Sequence, residues 1–266
     1  MNTQNAFDLL RSSGNARDAK IILRHIVGDI STCAGITILQ SFRVWNAARK
    51  LRLKVPVAKI TGVKEFYGLP FETGRATLDP RPDSETIIEA LLRHYPRDAA
   101  PRILDCGTGT GCLIGAACTQ LPNARGVGID ISHSAVRCAG RNMLRLGLFG
   151  RVAIKRRDFG QPLPESFDII ISNPPYIATG DPRVDAGARH DPALALYAGA
   201  DGLSAYRALA RAIPAMLADG GKVFLEIGEG QAVDVEEIFR AEGFRLNEVV
   251  RDLGGIERVL VLTKNQ

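Results

Sequence analysis

The sequence is poor in the residues that build disulfide frameworks and metal sites. Its 266 residues include five cysteines, four histidines and one tryptophan. The cysteines are odd in number and no two are spaced as C-x-x-C, which argues against a disulfide framework and against a zinc site. We therefore expect no bound metal and a reducing compartment, the cytoplasm.

Long apolar segments are also missing. No apolar run approaches the ~18 residues that are needed to cross a bilayer. The first residues, MNTQNAFDLL, have neither the basic flank nor the apolar core of a secretory signal. A hydrophobic content of 45% and a charged content of 24% are typical of a globular protein. The sequence thus predicts a cytoplasmic protein without membrane contact, and we expect a monomer.

Positive charge is concentrated near the N-terminus. Residues 1–54 carry nine Lys or Arg against three Asp, while the rest of the chain is close to neutral. Two amphipathic segments, ARDAKIILRHIVG and TILQSFRVWNAARKLRL, predict helices here. In the second we expect one side to carry Ile38, Phe42, Val44, Trp45 and Ala48. A basic module can attract an acidic partner or RNA, but a solvated helical surface is the interpretation that we favour.

From Pro101 onward, strands and helices alternate. The segments RILDC, RGVGIDIS, VAIKRRD and FDIIISN are typical of strands, and CLIGAACTQL and SAVRCAGRNMLRLG of helices. A helix, GLSAYRALARAIPAMLA, then leads through Asp219-Gly220-Gly221 into a strand, KVFLEIG. Alternation of this kind predicts an α/β fold with a mostly parallel, doubly wound sheet. We expect a helical domain in residues 1–54, a β-hairpin linker in 55–80 and a Rossmann-like domain in 81–266.

A glycine-rich loop follows the first strand of this sheet. LDCGTGTGC places Gly107, Gly109 and Gly111 between a strand and a helix, separated by Thr108 and Thr110. Glycines let the backbone turn tightly and approach a ligand at the helix N-terminus. A dinucleotide fingerprint would require glycine at position 112, where Cys stands. The G-x-G-x-G pattern instead favours a nucleoside ligand without a pyrophosphate.

Two carboxylates follow the next strands. Asp130 ends the second strand, nineteen positions beyond Gly111, where a carboxylate can accept hydrogen bonds from both ribose hydroxyls. Asp158 ends the third strand and could accept from an adenine amino group, with Phe159 covering the ring. An ion pair with Arg156 or Arg157 is the alternative for Asp158. Because ligands of open α/β sheets bind at the carboxyl ends of the strands, we expect these residues to form one cofactor site.

The fourth strand ends abruptly at Asn173-Pro174-Pro175-Tyr176. The prolines end sheet pairing and hold the residues before them extended, which gives a rigid corner with free carbonyl oxygens. Beside a nucleoside site, this pattern is typical of S-adenosylmethionine-dependent methyltransferases that act on a planar amino group. The Asn173 side-chain oxygen and the Pro174 carbonyl oxygen could accept hydrogen bonds from the two N–H groups of the amine, and Tyr176 could stack on the planar group. Glutamine amides, adenine N6 and guanine N2 all fit this chemistry.

The chain as a whole resembles the PrmC/HemK family, the peptide chain release factor protein-(glutamine-N5) methyltransferases. The similarity begins near residue 17 and depends on motifs that match in order. These motifs are PVAKITGVKEFYG, LDPRPDSE, LDCGTGTGC, GIDIS, RDF, SNPPYI, DPALALYAGADGLSAYR, LEIGEGQ and DLGGIERVL.

The resemblance implies a class I methyltransferase sheet, a hairpin linker and an N-terminal domain that helps to bind a class I release factor. S-adenosylmethionine would be bound by Gly107 to Gly111, Asp130 and Asn173. The substrate, the Gln of a Gly-Gly-Gln loop, would be held by Asn173, Pro174, Pro175 and Tyr176. The alternatives are a ribosomal-protein glutamine methyltransferase, a DNA or RNA amino-methyltransferase and a non-catalytic scaffold. Because a nucleic-acid enzyme normally needs a sizeable target-reading domain, we expect no stable nucleic-acid partner.

Two features depart from the family pattern: Asp191 stands where Glu is frequent, and the basic N-terminal segment is not required by the family, so its role stays open. Where an aromatic residue, often Trp, follows the third-strand Asp in the family, this chain has Phe159. For Arg81 we expect a structural role rather than contact with the carboxylate of the cofactor. We expect Glu226, in FLEIG, to be a buried hydrogen-bond partner without a chemical role.

Overall fold

The computed structural model describes residues 1–28, 35–182, 184 and 188–265. Within these residues, the part before residue 62 is mostly helical, and strands and helices alternate afterwards. The helices are α1 (Thr3–Ser13), α2 (Ala16–Val27), α3 (Ile38–Arg52), α4 (Val57–Thr61), α5 (Glu85–His94), α6 (Cys112–Gln120), α7 (His133–Arg145), α8 (Ser204–Ala212) and α9 (Ala232–Ala241). The strands are β1 (Val63–Phe66), β2 (Leu69–Glu72), β3 (Arg102–Cys106), β4 (Arg125–Asp130), β5 (Val152–Arg156), β6 (Phe167–Ser172), β7 (Leu217–Glu226), β8 (Phe244–Arg251) and β9 (Glu257–Lys264).

The chain divides into two compact units. One consists of residues 1–63 and 184–190, and the other of residues 64–183 and 191–266. The domain boundaries that we expect at residues 54 and 80 stay predictions. Among the described residues, none of the helices combines the length and the apolar character that crossing a bilayer requires.

The first unit is built from helices that carry their own start signals. The side chains of Asn2 and Asn15 cap α1 and α2 by accepting hydrogen bonds from main-chain N–H groups. Thr37 and Gln40 form a capping box at the start of α3. Side chains from all three helices then form a common apolar core: Ala6, Leu10, Ala19, Ile22, Leu23, Val44, Ala47, Ala48 and Leu51.

Helix α3 has two apolar stripes rather than one. Val44 and Ala48 are buried, together with Ala47 and Leu51, as the i, i+3, i+4 spacing requires. Ile38, Phe42 and Trp45 are instead 92%, 65% and 59% exposed. The prediction that all five residues lie on one side was therefore wrong, because positions 38, 42 and 45 form a separate helical stripe.

The predicted hairpin linker begins as a helix. Residues 57–61 form α4, which ends at Gly62 in the left-handed conformation. Only then do β1 and β2 form the hairpin, through a two-residue turn at Tyr67 and Gly68, both at positive φ. The expectation of a hairpin throughout residues 55–80 was thus too broad.

The second unit contains a seven-stranded sheet of order β5-β4-β3-β6-β7-β9-β8. Strands β5, β4, β3, β6 and β7 are parallel, and β9 and β8 close the sheet in antiparallel pairs. The strand order reverses between β3 and β6, which are direct neighbours. Ligands of such sheets bind where the order reverses, so the residues after β3 and β6 share the expected binding position.

Helices cover both faces of the sheet, so its central strands are apolar on both sides. In β6, Ile169 and Ile171 face the layer that contains Ile87, Ile88 and Leu91 of α5. Ile170 faces the opposite layer with Tyr206 and Leu209 of α8. This explains the β-branched run in the sequence, because successive strand residues point to opposite faces and both faces are dry.

Strand β7 is longer than the sequence pattern indicates. It begins at Leu217 and includes Asp219-Gly220-Gly221, which the sequence pattern places before the strand. The irregular register opposite Phe167 and Ile169 accommodates these extra residues.

The described cysteines are free thiols with no sign of reactivity. Cys106, Cys118 and Cys138 are buried and Cys112 is partly exposed, while Cys33 lies outside the described residues. Burial raises the pKa of Cys112 and Cys118 to about 12. A thiol with so high a pKa is protonated at neutral pH and is a poor nucleophile.

Candidate functional site

The loop after β3 turns sharply at three glycines. Gly107, Gly109 and Gly111 have φ values of +75°, +56° and +79°, a region in which residues with a Cβ are strained. The main-chain N–H groups of Gly107 and Thr108 both donate to the carbonyl oxygen of Ile129, at 2.9 Å. These bonds hold the loop against β4, and α6 begins directly after the loop at Cys112.

A buried carboxylate supports this loop from below. Asp105 is fully buried and accepts from the Thr108 hydroxyl at 2.6 Å and from the Ile114 N–H at 3.3 Å, both through Oδ2. Burial raises the pKa of Asp105 to about 7. Its Oδ1 atom has no hydrogen-bond partner among the described residues. Sequence reasoning missed Asp105, although an acidic residue inside an apolar strand just before a glycine loop was a usable signal.

Asp130 holds two segments of the site together. Its Oδ2 accepts from the Gly109 N–H at 3.0 Å and its Oδ1 from the Ser132 N–H at 2.8 Å. Burial raises the pKa of Asp130. A carboxylate offers about four acceptor positions, so about two remain for further donors. The expected bonds to ribose hydroxyls are compatible with this arrangement and stay a prediction.

Asp158 lies two residues beyond the end of β5 rather than at its last position. Its Oδ1 accepts from the Gly160 N–H at 2.8 Å. The guanidinium groups of Arg156 and Arg157 donate to the main-chain oxygens of Ile131 and Pro162, which weakens the alternative of an ion pair with Asp158. The Phe159 ring lies beside Gly107, 3.9 Å from where a Cβ would stand.

The Asn-Pro-Pro-Tyr segment follows β6 and therefore lies next to the glycine loop. Ser172 pairs with Cys106 in the sheet register, and its hydroxyl donates to the Cys106 carbonyl at 2.7 Å. Asn173 is partly exposed, and its Nδ2 donates to the Ser84 hydroxyl at 2.9 Å. Pro174 is buried, while Pro175 remains partly exposed.

Tyr176 packs into the protein more closely than the sequence suggested. Its ring contacts the core layer of α8 and α9, and its carbonyl oxygen accepts from Gln231 Nε2 at 3.1 Å. Burial raises the pKa of the Tyr176 phenol to about 12, so the phenol is neutral. Stacking of Tyr176 on a planar substrate group stays a prediction.

A cavity of about 400 Å³ lies in front of these strand ends. Among the residues that we expected at the site, its lining includes Gly107, Thr108, Gly109, Thr110, Asp130, Asp158, Phe159, Asn173 and Pro175. The structure thus brings the predicted cofactor and substrate residues to one cavity. Three predicted residues have other surroundings: Gly111 approaches Met143 and Ala139, Pro174 is buried and Tyr176 is packed as described above.

A buried polar network lies behind Asn173. Ser84 is 2% exposed and Glu226 is 1% exposed, and the Ser84 hydroxyl accepts a hydrogen bond from Asn173 Nδ2. The Oε2 atom of Glu226 is buried and has no hydrogen-bond partner among the described residues. Burial raises the pKa of Glu226 to about 7. The expected burial of Glu226 is confirmed, and its role as a side-chain hydrogen-bond partner stays a prediction. Ser84 was not singled out, because nothing local in its sequence indicates a contact 89 positions away.

Arg81 has the structural contact that we expected for it. Its guanidinium pairs with Asp191 at 2.8 Å, and the Asp191 side chain is only 3% exposed. This ion pair connects the segment before α5 to a loop whose residues Pro192, Leu194 and Tyr197 line the same cavity. The shorter Asp at position 191 therefore still reaches Arg81.

The residues around the cavity fit a nucleoside with a charged tail. The glycine turn leaves room for close approach, Asp130 and Asp158 offer acceptors at two strand ends, and Phe159 offers a ring face. A cavity of about 400 Å³ lies within the usual range for small-molecule sites.

Comparison with protein families and curated proteins gives a consistent result. The family model "Methyltransferase small domain" matches residues 82–189. A release factor glutamine methyltransferase of Rhodospirillum rubrum is 40% identical over 92% of this chain and 78% of its own length. The protein of the same name from Bradyrhizobium diazoefficiens is 39% identical over 93% of this chain and 87% of its own.

Solved structures share the fold at low sequence identity. A methyltransferase from Pyrococcus furiosus has a TM-score of 0.54 and 18% identity, covering 85% of this chain and 98% of its own. A ribosomal protein L11 methylase from Lactobacillus delbrueckii subsp. bulgaricus has a TM-score of 0.53 and 17% identity, covering 71% and 82%. The predicted α/β fold with a Rossmann-like sheet is thereby confirmed.

Proposed function

Because this chain belongs to the release factor glutamine methyltransferases, we propose that it transfers a methyl group from S-adenosylmethionine to a glutamine side-chain amide of a class I peptide chain release factor. The acceptor is N5 of the glutamine in the Gly-Gly-Gln loop. The observation that carries this proposal is the shared cavity, in which the glycine loop after β3 and Asn173 after β6 face the same space.

The methyl donor fits the glycine-loop side of the cavity. When bound, S-adenosylmethionine supplies an electrophilic methyl carbon on a sulfonium sulfur. Gly107 to Gly111 would lie against its amino-acid portion, Asp130 would accept from its ribose, and Asp158 with Phe159 would contact its adenine. Asp105 keeps the loop in this shape through its bonds to Thr108 and Ile114.

The acceptor fits the Asn173 side of the cavity. An amide nitrogen is a weak nucleophile because its lone pair is conjugated with the carbonyl group. The Asn173 side-chain oxygen and the Pro174 carbonyl oxygen would accept hydrogen bonds from its two N–H groups. These hydrogen bonds would fix the nitrogen in line with the methyl carbon and favour its rehybridisation. Pro174 and Pro175 keep these acceptors in place, since proline fixes φ. The methylated nitrogen is cationic and acidic, so a strong base is not needed beforehand.

The helices of the first unit are our candidate for binding the release factor. Two observations support this: α3 exposes an apolar stripe at Ile38, Phe42 and Trp45, and the segment around it is basic. Apolar aromatic residues with nearby cations are typical of protein interfaces. The monomeric state, the absence of a stable nucleic-acid partner and the cytoplasmic location stay predictions.

Labelling of a purified release factor tests the proposed function. The protein is incubated with radiolabelled S-adenosylmethionine and a class I release factor, and the labelled peptide is then mapped. We expect label on the Gly-Gly-Gln glutamine, and none on a release factor in which that glutamine is replaced. Label that persists on the replaced protein would contradict the assigned acceptor. Parallel incubations with ribosomal proteins, DNA and RNA test the alternative substrates.

A further inference from the structure

The Asn-Pro-Pro-Tyr segment has few main-chain N–H groups that can hold it in position. Pro174 and Pro175 have none, so only packing and their carbonyl oxygens can fix these two residues. The chain after the segment is held, because the Ile177 N–H donates to the Leu196 carbonyl oxygen at 2.9 Å. Between these two parts lies the carbonyl group of Tyr176, and its hydrogen-bond partner comes from another element of the fold.

That partner is Gln231, the residue directly before α9. Its Nε2 donates to the Tyr176 carbonyl oxygen at 3.1 Å. Its Oε1 accepts from the Gly228 N–H at 2.9 Å and lies 3.4 Å from the Tyr206 hydroxyl. Tyr176 follows β6 and Gly228 follows β7, and these two strands are parallel neighbours in the sheet. Gln231 therefore connects the end of the Asn-Pro-Pro-Tyr segment to the turn after β7.

The two ends of the Gln231 amide are distinguished by main-chain groups. A main-chain N–H only donates and a carbonyl oxygen only accepts, so Oε1 has to face Gly228 and the NH₂ group has to face Tyr176. Gln231 stands at the N-cap position of α9 but forms no side-chain cap there. Its side chain is used for the contact with the Tyr176 carbonyl group instead.

Two glycines leave room for this amide. A Cβ at Gly228 would lie 2.6 Å from Gln231 Oε1 and 3.0 Å from Cδ2 of the Tyr176 ring. A Cβ at Gly202 would lie 2.5 Å from the Tyr176 carbonyl oxygen and 3.2 Å from Gln231 Nε2. The amide is thus enclosed between two main-chain segments, which leave little room for another conformation of the side chain.

We infer that Gln231 is a positioning residue that fixes the Tyr176 end of the Asn-Pro-Pro-Tyr segment. Through this segment it also sets the position of the proposed acceptor oxygens of Asn173 and Pro174. Two consecutive prolines leave few rotatable bonds, so a displacement at Tyr176 is passed on along the segment. Gln231 is not among the described residues that line the cavity, so it acts through the segment and not on the substrate. The catalytic consequence rests on the proposed function, whereas the hydrogen bond is a property of the protein without substrate.

The substitution Gln231→Glu separates the two ends of the amide. A glutamate at this position keeps an acceptor for the Gly228 N–H but presents an acceptor to the Tyr176 carbonyl oxygen, where a donor is needed. At about pH 8, we expect Gln231→Glu to lower kcat by about 10- to 100-fold, because a misplacement of about 1 Å has an effect of that size. The donor Kd and the KM of the release factor should change little. If Gln231 only held Gly228 in place, kcat would be retained.

Two further variants serve as controls. Val233→Glu adds a carboxylate at an exposed position in the first turn of α9, and we expect it to keep the kcat of the unchanged protein. Gln231→Met removes both hydrogen bonds without adding charge, and it replaces the glutamate variant if that variant folds poorly. It should lower kcat as Gln231→Glu does. All rates are compared below the Tm of every variant. Full kcat in Gln231→Glu, or equal losses in Gln231→Glu and Val233→Glu, would overturn the inference.

NMR of the Tyr176 carbonyl group observes the hydrogen bond without substrate. Tyr176 and Ile177 form the one Tyr-Ile pair of the sequence. Labelling of tyrosine with ¹³C at the carbonyl group and of isoleucine with ¹⁵N therefore gives a single HNCO signal. We expect this signal to move upfield in Gln231→Glu and Gln231→Met, since a lost hydrogen bond reduces the deshielding of a carbonyl carbon. In Val233→Glu the signal should not move.

The side-chain NH₂ signals of Asn173 report whether the displacement reaches the other end of the segment. They are identified by their loss in Asn173→Ala, and in the unchanged protein Asn173 Nδ2 donates to the Ser84 hydroxyl at 2.9 Å. We expect these signals to shift in Gln231→Glu and Gln231→Met. If either the Tyr176 carbonyl signal or the Asn173 signals stay unchanged in both variants, the positioning role is refuted. Failure of the unchanged protein to label a release factor refutes only the proposed function, because the NMR results do not depend on methyl transfer.

Discussion

A methyl group added at Gly202 should disable the Asn-Pro-Pro-Tyr segment without touching the cavity. Gly202 has a φ of +75°, and a Cβ built there would lie 2.5 Å from the carbonyl oxygen of Tyr176. It would also lie 3.1 Å from the main-chain nitrogen of Ala178. Both neighbours are backbone atoms, so Gly202→Ala cannot be relieved by a side-chain rotation.

The size of the required shift follows from these distances. Ordinary contacts begin at 3.4 Å, so the Tyr176 carbonyl must move by about 0.9 Å. Because Pro174 and Pro175 make the segment stiff, we expect the shift to reach the Asn173 acceptor. A misplacement of about 1 Å can lower a rate by about 100-fold. We therefore expect kcat/KM to fall by about two orders of magnitude.

Gly220→Ala is the matched control for backbone strain. Gly220 has nearly the same φ, +74°, but a Cβ there would meet no atom within 4 Å. Both substitutions should cost roughly 1–2 kcal/mol of stability because an L-residue is strained at positive φ. Only Gly202→Ala should lose activity beyond that.

The assay compares initial rates of methyl transfer at saturating donor, with the Tm and the donor Kd measured on the same preparations. We expect Gly220→Ala to have a Tm lowered by a few degrees and a nearly unchanged rate. If Gly202→Ala retains full activity, the backbone at Gly202 moves to relieve the clash while the Asn-Pro-Pro-Tyr segment stays in place, and the reasoning is wrong. An equal loss of activity in both variants would refute it as well.

The remaining predictions concern the cofactor residues and the buried carboxyls. Asp130→Ala removes the acceptor that holds the Gly109 and Ser132 N–H groups. For this variant we expect calorimetry to show donor binding weakened at least tenfold, roughly 1.4 kcal/mol. Asn173→Ala should instead lower kcat far more than it changes the donor Kd. The reverse pattern in the two variants would contradict both assignments. Burial raises the pKa of Glu226 from 4.5 to about 7. Between these two pH values the folded protein therefore binds more protons than the unfolded chain. The stability that the bound proton provides is lost as the pH rises through 7. The Tm difference between Glu226→Leu and the unchanged protein should therefore shift in favour of the variant between about pH 5 and pH 8, by the equivalent of about 3 kcal/mol. A Tm difference that does not depend on pH would show that Glu226 does not titrate in this way.

Much of the fold and of the site could be predicted from the sequence because the signals are local. Alternating strand and helix patterns indicated the parallel sheet, and the glycine loop, Asp130 and Asn173 each follow a recognisable strand. Since the carboxyl ends of parallel strands meet at one edge, residues that are distant in sequence were expected at one cavity. The predicted pattern failed where a local signal is ambiguous. The two apolar stripes of α3 were merged into one, and the hairpin was expected from residue 55 although residues 57–61 form α4.

The sequence by itself determined where the chain turns, which strands are buried and which residues lie at the strand ends, because each of these depends on neighbours within a few positions. Only the tertiary structure decided which buried polar groups meet. Ser84 contacts Asn173, which is 89 positions away in the sequence. Asp105 and Glu226 are each desolvated by burial in a packed interior, which no local sequence pattern indicates. The order of the strands, not the spacing of residues, brings β6 between β3 and β7 and so places Asn173 between the glycine loop and Glu226. Hydrogen bonding and desolvation depend on that three-dimensional neighbourhood, and so do the contact between Ser84 and Asn173 and the raised pKa values of Asp105 and Glu226.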